Sequence, residues 1–288
     1  MSKTREIKTR IHSVKKTRTI TLAMKMVAAA KFKRAVNQLL ESKAYEKTLN
    51  IVMQDLNNRL ENDALPPLLI DNKVKKEVVI IVSSDKGLCA GFNTYLFKEA
   101  LSYLKTKESK NIELILIGNK ALQFFKKKEW AINTNIDHLF QNFCEDSIHG
   151  LLENLVHRYE NNEIGSVRLL YNEFISAIAN KQINKQVIPI TLPEWDGKKE
   201  VHYSDYIYEN TKENALELLL QKRMIFDVYQ SLLHSEAAEE GSRMVAMDSA
   251  SSNAGEVIDD LTLLFNRSRQ AAITTELTEI VAGAASLE

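Results

Sequence analysis

The residues best suited to chemistry in this chain stand together in Ser83-Ser84-Asp85-Lys86-Gly87-Leu88-Cys89-Ala90-Gly91-Phe92-Asn93. This segment follows a strongly apolar run and leads into a helical one, which is where loops that cradle phosphate often lie. It matches neither GxGxxG nor GxxxxGKS/T, so no dinucleotide or P-loop fingerprint is present. A structural turn is therefore preferred to a nucleotide site. Cys89 has no evident Cys or His partner for nucleophilic work, and Asp85 beside Lys86 reads as a local ion pair rather than an acid/base couple. Cys89 and Cys144 give neither a disulfide framework nor a metal spacing, which predicts buried or half-buried free thiols in a reducing compartment. His12, His138, His149, His157, His202 and His234 are dispersed with no HExxH-type pair, so zinc chemistry is not expected.

A second chemical signal is charge. Met1–Val36 carries eleven Lys and Arg against the single acid Glu6, whereas Asp205–Glu288 carries six against fifteen Asp and Glu, in a chain that is neutral overall. Lys3, Arg5, Lys8, Arg10, Lys15, Lys16 and Arg18 could neutralise nucleic-acid phosphates, but no aromatic residue is interleaved among them. A solvated helix face or an acidic protein surface as partner is preferred, and the acidic C-terminal segment supplies such a surface. Charges opposed in this way favour one register and orientation more than they add stability.

The elements that carry these residues are legible from glycine and proline. Neither occurs in the first 65 residues, and all four prolines, Pro66, Pro67, Pro189 and Pro193, lie in between the two ends. A helix is predicted from about Thr4 to Leu60, with a seam at steps of three and four through Ile7, Ile11, Val14, Arg18, Thr21, Lys25, Ala28, Phe32, Ala35 and Leu39. The seam is polar in its middle, so part of this helix is expected to face something other than its partner. At the other end Met244, Met247, Ser251, Ala254, Ile258, Leu261, Phe265, Ser268 and Ala272 keep the same spacing. A second stripe, Ile273, Leu277, Ile280, Ala284 and Leu287, then makes the last turns apolar on more than one side. A helix beginning near Asp205 would extend on the order of 120 Å, which suggests a coiled coil or stalk. Gly241, Gly255 and Gly283 would mark local breaks or close helix contacts.

Between the helices, Glu77–Ser84 and Ile112–Gly118 read as strands buried on both faces, with helices over Asn93–Lys107, Asn119–Lys128 and Glu145–Asn161. Val167–Phe174 and Gln186–Leu192 read as further strands, and Trp130–Phe140 is left without assignment. Alternating strands and helices predict an α/β domain with a mostly parallel sheet over roughly Val74–Pro193. The longest strongly apolar runs, Val78–Val82 and Leu114–Ile117, fall far short of the roughly 18 to 20 residues that span a bilayer. The basic start lacks an apolar signal region, so the mature chain is expected to begin here, in the cytosol.

The last turns carry a family resemblance. Ile273-Thr274-Thr275-Glu276-Leu277-Thr278-Glu279-Ile280-Val281-Ala282-Gly283-Ala284-Ala285-Ser286 closely resembles the C-terminal signature of the gamma subunit of F-type ATP synthases. Ile7-Lys8-Thr9-Arg10-Ile11-His12-Ser13-Val14 and Ala23-Met24-Lys25-Met26-Val27-Ala28 resemble that family's opening helix, and Ser83–Asn93 its central loop. Arg243-Met244-Val245-Ala246-Met247 and Asn266-Arg267-Ser268-Arg269-Gln270 are similar to blocks of its closing helix. The chain departs from the family at Thr19 and Leu22, where basic residues are usual, at Asp248, where Lys is usual, and at Ala238-Glu239, where Ser-Glu is usual.

The resemblance implies a fold and a role. The fold is a long antiparallel coiled coil of residues 1–65 and 205–288, with a Rossmann-like, mostly parallel α/β domain at 74–193. The role is the central rotor shaft of a proton-transporting ATP synthase, without catalytic residues, cofactor or metal of its own. Its partners would be three alpha and three beta subunits, epsilon and a membrane ring of c subunits. It also implies a bacterial protein, peripheral on the cytoplasmic side of the inner membrane. Carried over position by position, Arg269, Gln270, Thr274 and Glu276 would contact the moving loops of beta. Met24 and Arg243 would lie near the lower edge of the alpha/beta sleeve, and Tyr203 and Tyr206 are candidates for ring or epsilon contacts. Two other readings remain: a nucleotide-dependent enzyme, and a coiled-coil nucleic-acid binder or adaptor.

Overall fold

In the computed structural model of this chain, residues 2–58, 66–136, 145–191 and 211–285 are described. Two helices dominate, α1 (Ser2–Asn58) and α5 (Lys212–Ala285). Between them come β1 (Glu77–Val82), α2 (Phe92–Leu104), β2 (Ile112–Ile117), α3 (Asn119–Phe125), β3 (Ala131–Ile136), α4 (Glu145–Glu160), β4 (Ser166–Phe174) and β5 (Asn180–Ile188). The chain divides into two compact units, one of Met1–Ala29 with Arg243–Glu288 and one of Ala30–Ser242.

The larger unit is built on a five-stranded sheet of order β3-β2-β1-β4-β5. β1 pairs in parallel with β2 and β4, and β2 with β3. All six residues of β1 are buried, which requires helices on both faces and explains the uninterrupted apolar run. Alternate residues point opposite ways. Val79, Ile81, Leu114, Leu116 and Leu170 meet α2 and α3 through Leu96, Phe97, Ala100 and Phe125. Val78, Ile80, Val82, Ile115 and Leu169 meet α4 and the helices of the coiled pair, through Leu152, Leu155, Leu49, Met53, Leu220 and Met224.

The fifth strand differs from expectation. It runs antiparallel to β4 and begins at Asn180, not at Gln186, and it ends at Ile188 rather than Leu192. The sequence Asn180-Lys181-Gln182-Ile183-Asn184-Lys185-Gln186 is polar because an edge strand can leave much of its surface to water. Within the strand only Val187 and Ile188 are buried, and Ile190, a buried residue past its end, carried the apolar run further along the chain. The unassigned stretch supplies β3, and Trp130 before it is buried with its ring edge-on to Phe125. Residues 137–140, which complete that stretch, lie outside the described residues, as do Cys144, Pro193 and 205–210.

In this unit α5 is buried on nearly every side between Phe226 and Gly241, as a helix enclosed between other elements must be. The charges it buries are matched. Asp227 receives Lys185 Nζ and Arg223 Nε, each at 2.9 Å, and Glu240 pairs with Lys31 at 3.5 Å. Arg223 also donates to Asn50, Gln230 donates to Glu46, and Lys31 lies toward Glu240, so rising numbers on α1 meet falling numbers on α5. The helices are antiparallel here.

In the smaller unit the predicted seams are the buried lines. Ile7, Thr21 and Ala28 of α1 and Met247, Ser251, Ala254 and Ile258 of α5 are buried. Thr4 meets Ser268, Arg18 lies over Gly255, and Lys25 binds Asp248 at 2.6 Å. This is again a single antiparallel register. Neither Gly241 nor Gly255 breaks α5; both are points of close approach.

Candidate functional site

The loop singled out for chemistry is committed to holding itself and the start of α3. Ser83 Oγ donates to the carbonyls of Ile117 and Gly118 at 3.1 and 3.3 Å and accepts from the Ala121 amide at 2.9 Å. The Asn119 amide donates to Asp85 Oδ1 at 3.2 Å, and the Lys120 amide to the Ser84 carbonyl at 3.1 Å. The first three amides of α3, the helix after β2, are therefore already spent on this loop. Asn93 bridges the loop, accepting from the Ser84 amide at 3.2 Å and donating to Ser84 Oγ at 2.7 Å and Cys89 Sγ at 3.4 Å. Gly118 has φ +93°, and a Cβ there would fall 2.2 Å from the Ser83 carbonyl oxygen. Only glycine fits that approach.

Cys89 is buried against Phe92, Ala238 and Phe174, so its role in this loop is packing. Two neighbours, Leu88 and Ala90, take left-handed φ of 62° and 49°, which turns Leu88 out into solvent with 63% exposure. Among the described residues no group of three or more His, Cys, Asp or Glu could hold a metal ion. His138 and His202 lie outside the described residues. His234 is half-buried, with Nδ1 accepting the Phe174 amide at 3.3 Å. Burial holds its pKa below the usual histidine range.

The six residues carried over by resemblance all sit in the smaller unit, on α1 and α5, and divide into two kinds. Met24 is half-buried and Arg243 is buried beside the seam. Arg269, Gln270, Thr274 and Glu276 are exposed, and Thr274 donates its hydroxyl to the Gln270 carbonyl at 3.0 Å. At 100° per residue, Gln270 and Thr274 stand on the side opposite the seam, while Arg269 and Glu276 flank it. Tyr203 and Tyr206 lie outside the described residues.

The second apolar stripe is exposed as well. Ile273, Leu277, Ile280 and Val281 are 48%, 58%, 68% and 66% exposed. The register explains this, because Thr4 already lies against Ser268 and α5 continues to Ala285 past the described part of α1. Sequence reasoning missed a further apolar surface on α1, where Ile20, Leu22, Met26 and Val27 are exposed. Its signal was available: these large apolar residues lie off the line of the seam and so must face elsewhere. The basic residues Arg5, Lys8, Arg10, Lys15 and Lys16 also point outward.

The chain is similar to known proteins over its whole length. A family model described as ATP synthase matches residues 3–287. The ATP synthase gamma chain of Geotalea daltonii is 40% identical over 290 residues, covering all of both chains, and that of Legionella pneumophila is 35% identical over 289 residues with the same coverage. Among solved structures, a chain of the Euglena gracilis mitochondrial ATP synthase OSCP/F1/c-ring assembly superposes with a TM-score of 0.67 at 18% identity, covering 99% of this chain and 95% of that one. A chain of the Tetrahymena thermophila mitochondrial ATP synthase central stalk/c-ring superposes with a TM-score of 0.58 at 22% identity, covering 81% and 99%. These two share the fold. With gamma chains matched end to end at such identity, this chain belongs to the ATP synthase gamma chain family.

Proposed function

We propose that the chain is the central shaft of a proton-transporting F-type ATP synthase, turning with a membrane ring of c subunits inside a sleeve of three alpha and three beta subunits, with epsilon beside it. The observation that carries this reading is the apolar end of α5. Ile273, Leu277, Ile280 and Val281 are left uncovered where α5 runs on past the described part of α1. Such a surface can turn against an apolar collar because few hydrogen bonds or ion pairs must break at each step. A pair of antiparallel helices has no threefold symmetry, so three equivalent partners around it meet three different faces. Those contacts shift each partner among conformations of different nucleotide affinity.

On this reading the chain makes and breaks no bond itself. Arg269, Gln270, Thr274 and Glu276 meet the moving loops of beta, and Met24 and Arg243 act lower on the shaft. No described helix is long and apolar enough to cross a membrane, which accords with a peripheral place in the complex, here assigned to the cytoplasmic face of the inner membrane. The test is purification of the tagged chain from solubilised membranes, with partners identified by mass. Recovery of alpha, beta and epsilon in fixed proportion is expected, and recovery of the chain without them would overturn the proposal.

A further inference from the structure

The starts of β1, β2, β3 and β4 lie at one end of the sheet, because these strands are parallel. α2 and α3 run back between them, so both helices finish at that same end. The connections gathered there are rich in lysine. Lys73 and Lys75 precede β1, Lys105 follows α2, and Lys126, Lys127 and Lys128 follow α3; all six are exposed. A polar cleft lined by Lys73, Lys75, Lys107 and Arg168 together with Asp71, Glu77 and Glu108 joins part of this surface.

The acids at this end are largely matched already. Glu77 is buried with Lys107 and Arg168, at 3.4 and 3.6 Å. Glu113 binds Lys76 and Arg158, at 2.6 and 2.7 Å, and Glu108 binds Lys110 at 3.1 Å. None of the six exposed lysines forms an ion pair with a described residue; the other exposed carboxylates at this end are Asp71, Glu129, Glu160 and Glu163, the last paired with Arg158 at 3.4 Å. The six unpaired lysines still outnumber the acids left unpaired there, so the surface is net positive within a neutral chain.

We infer that this lysine-rich end of the α/β domain is a docking surface for an anionic membrane, attracted to acidic phospholipid headgroups. Among the described residues Ile70 is the large apolar side chain exposed near it. The buried aromatic and arginine anchors that dominate protein interfaces are missing from the six positions. Flexible lysines act as separate point charges, which suits a diffuse anionic plane better than a shaped partner. Each lysine near such a surface contributes independently and falls off within a Debye length. The inference rests on the shaft reading only for bringing a membrane near.

The test is co-sedimentation of the full chain with vesicles of phosphatidylcholine containing phosphatidylglycerol, against phosphatidylcholine alone. A variant carrying Lys73→Gln, Lys75→Gln, Lys126→Gln, Lys127→Gln and Lys128→Gln is compared with a control carrying Lys8→Gln, Arg10→Gln, Lys15→Gln and Lys16→Gln on α1. The parent is expected to bind only the anionic vesicles, with the first variant weakened about tenfold or more at low salt and the difference lost at high salt. Equal binding to neutral vesicles, or loss confined to the α1 control, would overturn the inference. So would a first variant that binds vesicles normally but recovers less of a partner subunit, which would mark a protein interface. Unchanged circular dichroism and urea midpoint exclude misfolding. Normal recovery of alpha and beta by the first variant keeps the shaft reading separate from the outcome.

Discussion

Replacing Leu277 and Ile280 together by Gln separates a surface kept for a partner from one that holds the chain together. In the free chain the two side chains are 58% and 68% exposed, so neither anchors a core. Gln is about as good a helix former as Leu, so the unfolding free energy should move by no more than about 0.5 kcal/mol. In a surrounding collar the uncovered part of each side chain would be buried. Full burial of such a residue is worth about 1.5–3 kcal/mol. Scaled to the exposed fraction, that gives about 1–2 kcal/mol each, or about 2–4 kcal/mol together. The double variant should therefore bind a preparation of alpha and beta subunits about 30- to 1000-fold more weakly. The assay is titration of alpha and beta with labelled chain, alongside urea unfolding of the chain alone. Binding as tight as the parent's would refute a collar around these residues. A stability loss above about 1 kcal/mol would show that the stripe is buried within the chain itself.

Two further predictions concern the chain alone. Gly255→Ala should stabilise it by roughly 0.5–1 kcal/mol by helix propensity, since the new Cβ lies 3.7 Å from the flexible Arg18 guanidinium. Gly241→Leu should cost about 2–3 kcal/mol, because a Cβ there already stands 3.2 Å from Phe32 and 3.3 Å from the Ala177 backbone; urea midpoints check both, and the reverse order would refute the contact analysis. The third variant, His234→Gln, addresses pH. Burial first, with Lys43 and Lys185, lowers the pKa of His234, while Glu173 and Glu46 oppose that shift. The unfolded chain therefore binds the proton more readily, and stability that is full above the ordinary histidine pKa of about 6.5 is lost as pH falls below it. Glu236, whose pKa is raised by burial and then by Glu240, works in the opposite sense at more acidic pH. His234→Gln should flatten the fall in urea midpoint between about pH 7 and 5.5, and an unchanged slope would place the titrating group elsewhere.

What could be read from residue order depended on how many surfaces each element buries. β1 and β2 are covered on both faces, so their apolar runs were visible without context. The seams were visible because only one line of each helix is buried in the smaller unit, from Ile7 to Ala28 and from Met247 to Ile258. β5 was misplaced because only Val187 and Ile188 within it are buried, while the apolar run continued past its end through Ile190. The Ser83–Asn93 loop lacks a phosphate-binding fingerprint. What its residues hold is visible only in three dimensions: Ser83, Ser84 and Asp85 occupy the first amides of α3, which no spacing rule reveals.

Charge was the feature most readily over-read. Opposed ends suggest helices drawn together by ion pairs, and Lys25 with Asp248 at 2.6 Å is such a pair. Its side chains remain 35% and 61% exposed, and exposed pairs contribute about 0–1 kcal/mol. Meanwhile Arg5, Lys8, Arg10, Lys15 and Lys16 of α1 and Glu256, Asp259 and Asp260 of α5 all face outward. Small and apolar residues, Ala28, Ser251 and Ala254, set the close approach of the two helices in this unit. Because the seam fixes the register without them, the outward charges are free to vary with what surrounds the shaft. That is consistent with this chain carrying Thr19, Leu22 and Asp248 where its resemblance to the family leads one to expect basic side chains. It also implies that reversing Asp248 would change the surface seen by a partner more than it would loosen the helix pair.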